Sequence, residues 1–119
     1  MNWEFLERWK SYLRLVAYTS GDRDEATTKI RKAFDAAGAW MTDVHFFSGV
    51  QTVFNFEVAG DRVADFAKAL EDAGLSFDDA SREVLAHVAA GVSEFTGTLA
   101  VVFAHGDPDQ VHEVPAVPG

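Results

Sequence analysis

The stretch Lys32-Ala33-Phe34-Asp35-Ala36-Ala37-Gly38 returns in kind as Lys68-Ala69-Leu70-Glu71-Asp72-Ala73-Gly74, with the second glycine 36 positions after the first. Solenoids need about three or more copies to bury a continuous core, so a single echo points to two similar halves sharing one sheet. The competing explanation is chance similarity between two alanine-rich helix ends, since few residue types are good helix formers. Each copy carries its own punctuation. Asp22 caps the first helix and Glu25, three residues on, completes a capping-box pattern; Ala26, Ile30, Phe34 and Ala37 form one apolar stripe, and Gly38 is the left-handed stop. The second helix runs from Asp61, with Val63, Phe66, Ala67, Leu70 and Ala73 inward and Gly74 as its stop. Helices amphipathic on one side only lie on one face of a sheet.

The sheet is supplied by four apolar runs. Tyr12–Thr19 alternates Leu13, Leu15 and Ala17 against Arg14. Asp43–Phe47 and Val50–Val58 flank Ser48-Gly49, a two-residue connection of hairpin type, with Asp43 read as a turn residue. Val50, Thr52, Phe54, Phe56 and Val58 then face the helices, leaving Gln51, Val53, Asn55 and Glu57 opposite. Thr96–His105 is apolar on both faces, which marks it as a central strand. Ser76 with Asp79 makes a further capping pattern that opens a third helix ending by Gly91. Trp3, Leu6 and Trp9 recur every third residue in a short helical lead-in. After the break at Gly106-Asp107-Pro108-Asp109, Val111, Val114 and Val117 repeat with the period of polyproline II.

These elements predict an α+β fold: a ferredoxin-like βαββαβ sandwich with a four-stranded antiparallel sheet, helices on one face, an extra helix before the last strand and an extended C-terminal tail. One domain is expected over residues 1–119, with a lead-in at 1–11, a core at 12–105 and the tail at 106–119. The segment Tyr12–Gly74 resembles the ACT domain. The resemblance lies in Asp22-Arg23 just after the first strand, a helix ending Ala36-Ala37-Gly38, a hairpin, and a second helix ending Ala73-Gly74. It implies a non-catalytic small-molecule-binding or regulatory module. Where that family often has glycine or proline-glycine shortly after the aspartate, this chain has Asp24 and Glu25, two carboxylates that would repel a substrate carboxylate.

Charge and composition exclude other classes. Nineteen acidic against ten basic residues give a formal charge of −9, which disfavours nucleic acid. The absence of cysteine removes thiolate nucleophiles and sulfur-ligated metals. Met1–Lys10 lacks the order of a signal peptide, and no apolar run approaches the roughly 20 residues of a spanning helix, so a cytoplasmic, non-membrane protein is expected. There is no nucleophile elbow, phosphate-loop glycine pattern or cofactor motif.

Three constellations remain. Ser20-Gly21-Asp22-Arg23 precedes a helix N-terminus able to hold an anion, unless Asp22 itself occupies those amides as a cap. Arg14, His45, Asn55 and Glu57 share the face away from the helices; His45 with Glu57 would make a His–carboxylate pair for acid–base work, and a solvated polar face explains the same residues without chemistry. His105, Asp107, Asp109 and His112 hold enough ligand atoms for a divalent metal, at no established zinc spacing, in a segment where turn residues are expected anyway. The three tryptophans read as core and rim residues. Two helices cover one face of the sheet while Val16, Val53, Val102 and Phe47 fall on the other. A homodimer through that face is therefore expected, with the tail as a further clamp, the third helix as a competing cover and a pure assembly role as the alternative to ligand sensing.

Overall fold

In a computed structural model, which describes residues 11–104, the chain runs β1 (Tyr12–Ser20), α1 (Arg23–Ala37), β2 (Trp40–Ser48), β3 (Gln51–Ala59), α2 (Val63–Asp72, led in by a 3-10 turn at Gly60–Arg62), β4 (Ser76–Phe77), α3 (Asp79–Ala86) and β5 (Glu94–Ala104). The lead-in with Trp3, Leu6 and Trp9, the tail, and the cluster His105, Asp107, Asp109 and His112 lie outside the described residues. No helix among the described residues is long and apolar enough to cross a membrane.

The sequence echo is a repeat of local geometry. Asp22 accepts the Glu25 N–H at 3.0 Å and starts α1. At its end the Gly38 N–H donates to Asp35 and the Ala39 N–H to Phe34, with Gly38 at φ 69°. At the same positions of the second copy, the Gly74 N–H donates to Glu71 and the Leu75 N–H to Leu70, with Gly74 at φ 100°. Both helices thus close with the same pair of carbonyl caps, which needs a residue free to adopt positive φ. Each is flanked by parallel strands, β1 and β2 around α1, β3 and β4 around α2.

The four-stranded antiparallel ferredoxin-like sheet is not what forms. The sheet has five strands in the order β2-β3-β5-β1-β4 and is mixed, because β5 lies parallel to β1. The difference starts at Ser76. Ser76 does not cap a helix; with Phe77 it pairs antiparallel to β1, through Tyr18 and Ala17, and so adds a fifth strand at that edge of the sheet. Asp78, two residues later, is the cap of α3. The last strand takes the central place that its two apolar faces predict, but parallel to β1, and pairs on both sides, to β1 from Tyr12↔Thr96 to Ser20↔Ala104 and to β3 from Gln51↔Val102 to Ala59↔Glu94. Gly97 makes the fit possible, since a Cβ there would collide with the Leu13 carbonyl oxygen and the Phe56 ring. The hairpin turn is also displaced, to Gly49-Val50, which leaves Val50 exposed rather than facing the helices.

The core lies between this sheet and the helices. Leu13, Leu15, Ala17, Phe54, Phe56, Val58, Leu99, Val101 and Phe103 meet Ile30, Phe34, Phe66 and Leu70, all buried. Phe34 stands edge-on to Phe66 at 5.0 Å between ring centres, and Phe66 contacts Phe56 at the same distance. Leu85 and Val88, in and just after α3, pack against this same core, so the third helix does not cover the opposite face.

Beyond β4 the exposed edge of β1 is finished by α3. Asp78 N–H donates to the Val16 carbonyl at 3.0 Å, and the Val16 N–H donates to the Ser81 hydroxyl at 2.7 Å. Ser81 is buried and in turn bonds the Asp78 carboxylate, holding it below its ordinary pKa range. Ser81→Ala leaves the Val16 N–H without a partner and is expected to cost about 1–3 kcal/mol in urea unfolding. Because the folded-state value of Asp78 is depressed, its contribution is full above the ordinary carboxylate range and fades as pH falls through it; Asp78→Asn is expected to flatten this part of the acid stability profile. Thr52 presents the opposite case, a side chain with no exposed surface whose hydroxyl has no hydrogen-bond partner. Thr52→Val removes that penalty, and a higher Tm is expected; an unchanged or lower Tm would show that the hydroxyl is satisfied.

Candidate functional site

The turn after β1 is a structural joint. Asp22 occupies the helix amides as a cap, and Asp24 and Glu25 add two more carboxylates to the first turn. Arg23 is directed away from this terminus: its guanidinium donates to the Ser48 carbonyl at 2.9 Å and sits 5.4 Å from the centre of the Phe46 ring. Gly21, Asp22, Arg23, Asp24, Gly49 and Phe103 line a depression of about 260 Å³ there. Ser20 is exposed at the end of β1, opposite Ala104. This wall is acidic and its one cation is engaged by the hairpin, which is poor chemistry for an anion.

The face of the sheet turned away from the helices is a different surface, and strand register arranges it in rows. One row is Trp40, Glu57, Thr96 and Tyr12; the next is Asp43, Asn55, Thr98 and Arg14; then His45, Val53, Ala100 and Val16; then Ser48, Gln51, Val102 and Tyr18. No described element covers it. Trp40 is 70% exposed, and Tyr12 and Tyr18 are more than two-fifths exposed. Val16, Val53, Ala100 and Val102 are only half-covered. Tyr12, Thr42, Asn55, Glu57 and Thr96 rim a shallow depression of about 280 Å³ on it.

Arg14, His45, Asn55 and Glu57 do share this face, but His45 and Glu57 are not neighbours. His45 stands opposite Val53 and Glu57 opposite Trp40, four residues apart along β3, or roughly 13 Å. His45 instead meets Asp43, Nε2 to Oδ2 at 2.9 Å, with both side chains more than half exposed. Asp43 is a strand residue two positions away on the same face, not a turn residue. Bulges between Met41 and Asp43 and between Phe46 and Ser48 shift the alternation of β2, and Phe47, beside one of them, is 66% exposed with its ring 6.2 Å from that of His45. Among the described residues no group of three His, Asp or Glu side chains converges as a metal site.

Sequence reasoning missed Tyr12, Tyr18 and Trp40 as surface residues. The signal was present for two of them, because Tyr12, Arg14, Val16 and Tyr18 alternate with the buried Leu13, Leu15 and Ala17. Trp40 was hidden because β2 starts three residues earlier than its β-branched and aromatic run suggests. The chain matches no known family model, no curated protein and no solved structure.

Asp22→Ala tests the joint. A loss of about 1 kcal/mol of stability is expected in urea unfolding, with no change in phosphate binding; undiminished stability would mean that the cap is not what Asp22 supplies.

Proposed function

We propose that this protein is a non-catalytic binding module of the regulatory kind that the ACT resemblance implies, cytoplasmic, and working as a homodimer through the open face of its sheet. The observation that carries the reading is the unpartnered aromatic and aliphatic surface formed by Tyr12, Val16, Tyr18, Trp40, Val53 and Val102. A face of this composition, left wet, is an association surface. Its polar groups lie among the apolar ones, so a second copy packed on it buries the valines, and Asn55, Glu57 and Thr96 line the depression beside Tyr12, where they can contact a small molecule held between the copies. Acid–base catalysis by His45 and Glu57 has lost its geometry, and the assembly role needs no surface other than this one.

Light scattering at micromolar concentration is expected to give twice the 13.0 kDa chain mass. Val53→Lys is expected to give folded monomers, since it places an ammonium group at the centre of the contact. A monomeric wild type would refute the reading. A thermal-shift screen of amino acids and nucleotides tests the sensing part: a ligand at about 100 times its Kd adds roughly 2.7 kcal/mol, and no shift with either class would leave assembly alone.

A further inference from the structure

The open face is polarised across the strands. Arg14 lies on β1 and Asp43 on β2, in the same row, with Thr98 and Asn55 between them. Three strand spacings separate them, about 14 Å, too far for a contact within one chain. Arg14 and Glu57 have no ion pair among the described residues, and Asp43 has only the exposed His45. Trp40 and Tyr12 close the two ends of the neighbouring row in the same way.

Resting on the homodimer reading, we infer that the second copy packs face to face about a two-fold axis that runs parallel to the strands, between β3 and β5, so that Arg14 of each copy meets Asp43 of the other. Such an axis lies in the plane between the two sheets and exchanges left and right while keeping each row at its height. β1 then lies over the second copy's β2, and β5 over its β3. The two rows that hold the charges and the end aromatics become complementary to themselves, and in the other two His45 falls on Val16 and Ser48 on Tyr18. Arg14 falls on Asp43, with Glu57 one strand and one row away; Trp40 falls on Tyr12; Asn55 falls on Thr98; Val53 falls on Ala100; and Gln51 falls on Val102. The charges that no contact within the chain can join are joined across the axis, where exclusion of water strengthens them. Aromatic side chains meet at the two ends and small aliphatic ones at the centre, where two sheets approach to about 10 Å.

An in-plane axis perpendicular to the strands is one alternative. It exchanges rows instead of columns. It sets Asp43 on His45, but it sets Arg14 on Val16, Asn55 on Val53 and Tyr12 on Tyr18. A guanidinium would then be desolvated against an aliphatic side chain, which costs more than the Asp43 contact returns. Each pairing occurs twice about either axis, and of the two only the strand-parallel one gives Arg14 a carboxylate partner.

Charge reversal decides between them. Arg14→Glu and Asp43→Arg are each expected to raise the dimer Kd about 30-fold or more by sedimentation equilibrium, and the double variant is expected to return it to near the wild-type value. Both positions are exposed, so the variants should fold, which circular dichroism checks. The chain has no cysteine, so Tyr12→Cys and Trp40→Cys provide a second test with a short bismaleimide. A mixture of the two single variants is expected to cross-link, while Tyr12→Cys cross-links with Tyr18→Cys only about the perpendicular axis. Failure of the double variant to recover, or cross-linking of Tyr12→Cys with Tyr18→Cys alone, would overturn the strand-parallel axis while leaving the dimer standing. A wild type that is monomeric at every concentration would overturn the dimer and the axis together.

Discussion

β5 is the constraint on which the rest of the arrangement depends. It is bonded along its length on both sides, to β1 in parallel and to β3 antiparallel, and so separates the two strands that would otherwise be neighbours. Its entry is permitted by Gly97, where the Leu13 backbone and the Phe56 ring leave no room for a side chain. It also widens the sheet. Each helix covers about 10 Å, and five strands span roughly 20 Å, so the helices fully occupy one face and have nothing left for the other.

One-sided cover turns a packing result into a functional one. The helix side gathers the buried phenylalanines, including Phe34, Phe54, Phe56 and Phe66, into a single aromatic core. The opposite side keeps Trp40, Tyr12 and Tyr18 at the surface with valines between them and an Arg14-to-Asp43 gradient of charge across the strands. The edges of the same sheet are treated differently. β1 is closed by the two residues of β4 and then by Asp78 and Ser81, and β2 is interrupted by two bulges. Both devices discourage strand addition at an edge, which leaves the face as the surface through which the proposed association proceeds.

Much of this was legible in the sequence where local physics decides. Asp22, Glu25 and Gly38 mark α1 to within a residue, and the alternation of Thr52, Phe54, Phe56 and Val58 assigns β3 to the correct faces. The topology was not legible, because a two-residue strand such as Ser76-Phe77 has no period to detect and is held by pairing to Tyr18 and Ala17, far away in the chain. The capping pattern at Ser76 and Asp79 also competed with Asp78, which won because its carboxylate reaches the Ser81 N–H while its own N–H extends the β1 edge. For the candidate site, a shared face could be read from alternation, but the row of each residue could not. Register with β3, together with the bulge after Met41, places His45 beside Asp43 and away from Glu57.

In the proposed dimer the open face, and not the hairpin tip, is where copies of this chain meet. Phe46 and Val50 at the tip are about as exposed as the face aromatics, and Phe46, packed against Arg23 of α1, serves as an internal control. Hydroxyl-radical footprinting across a concentration series, read by mass spectrometry, measures both at once. Tyr12, Tyr18 and Trp40 are expected to lose reactivity as concentration rises, while Phe46 stays unchanged. Constant reactivity of the three face residues, or protection confined to the tip, would contradict that arrangement.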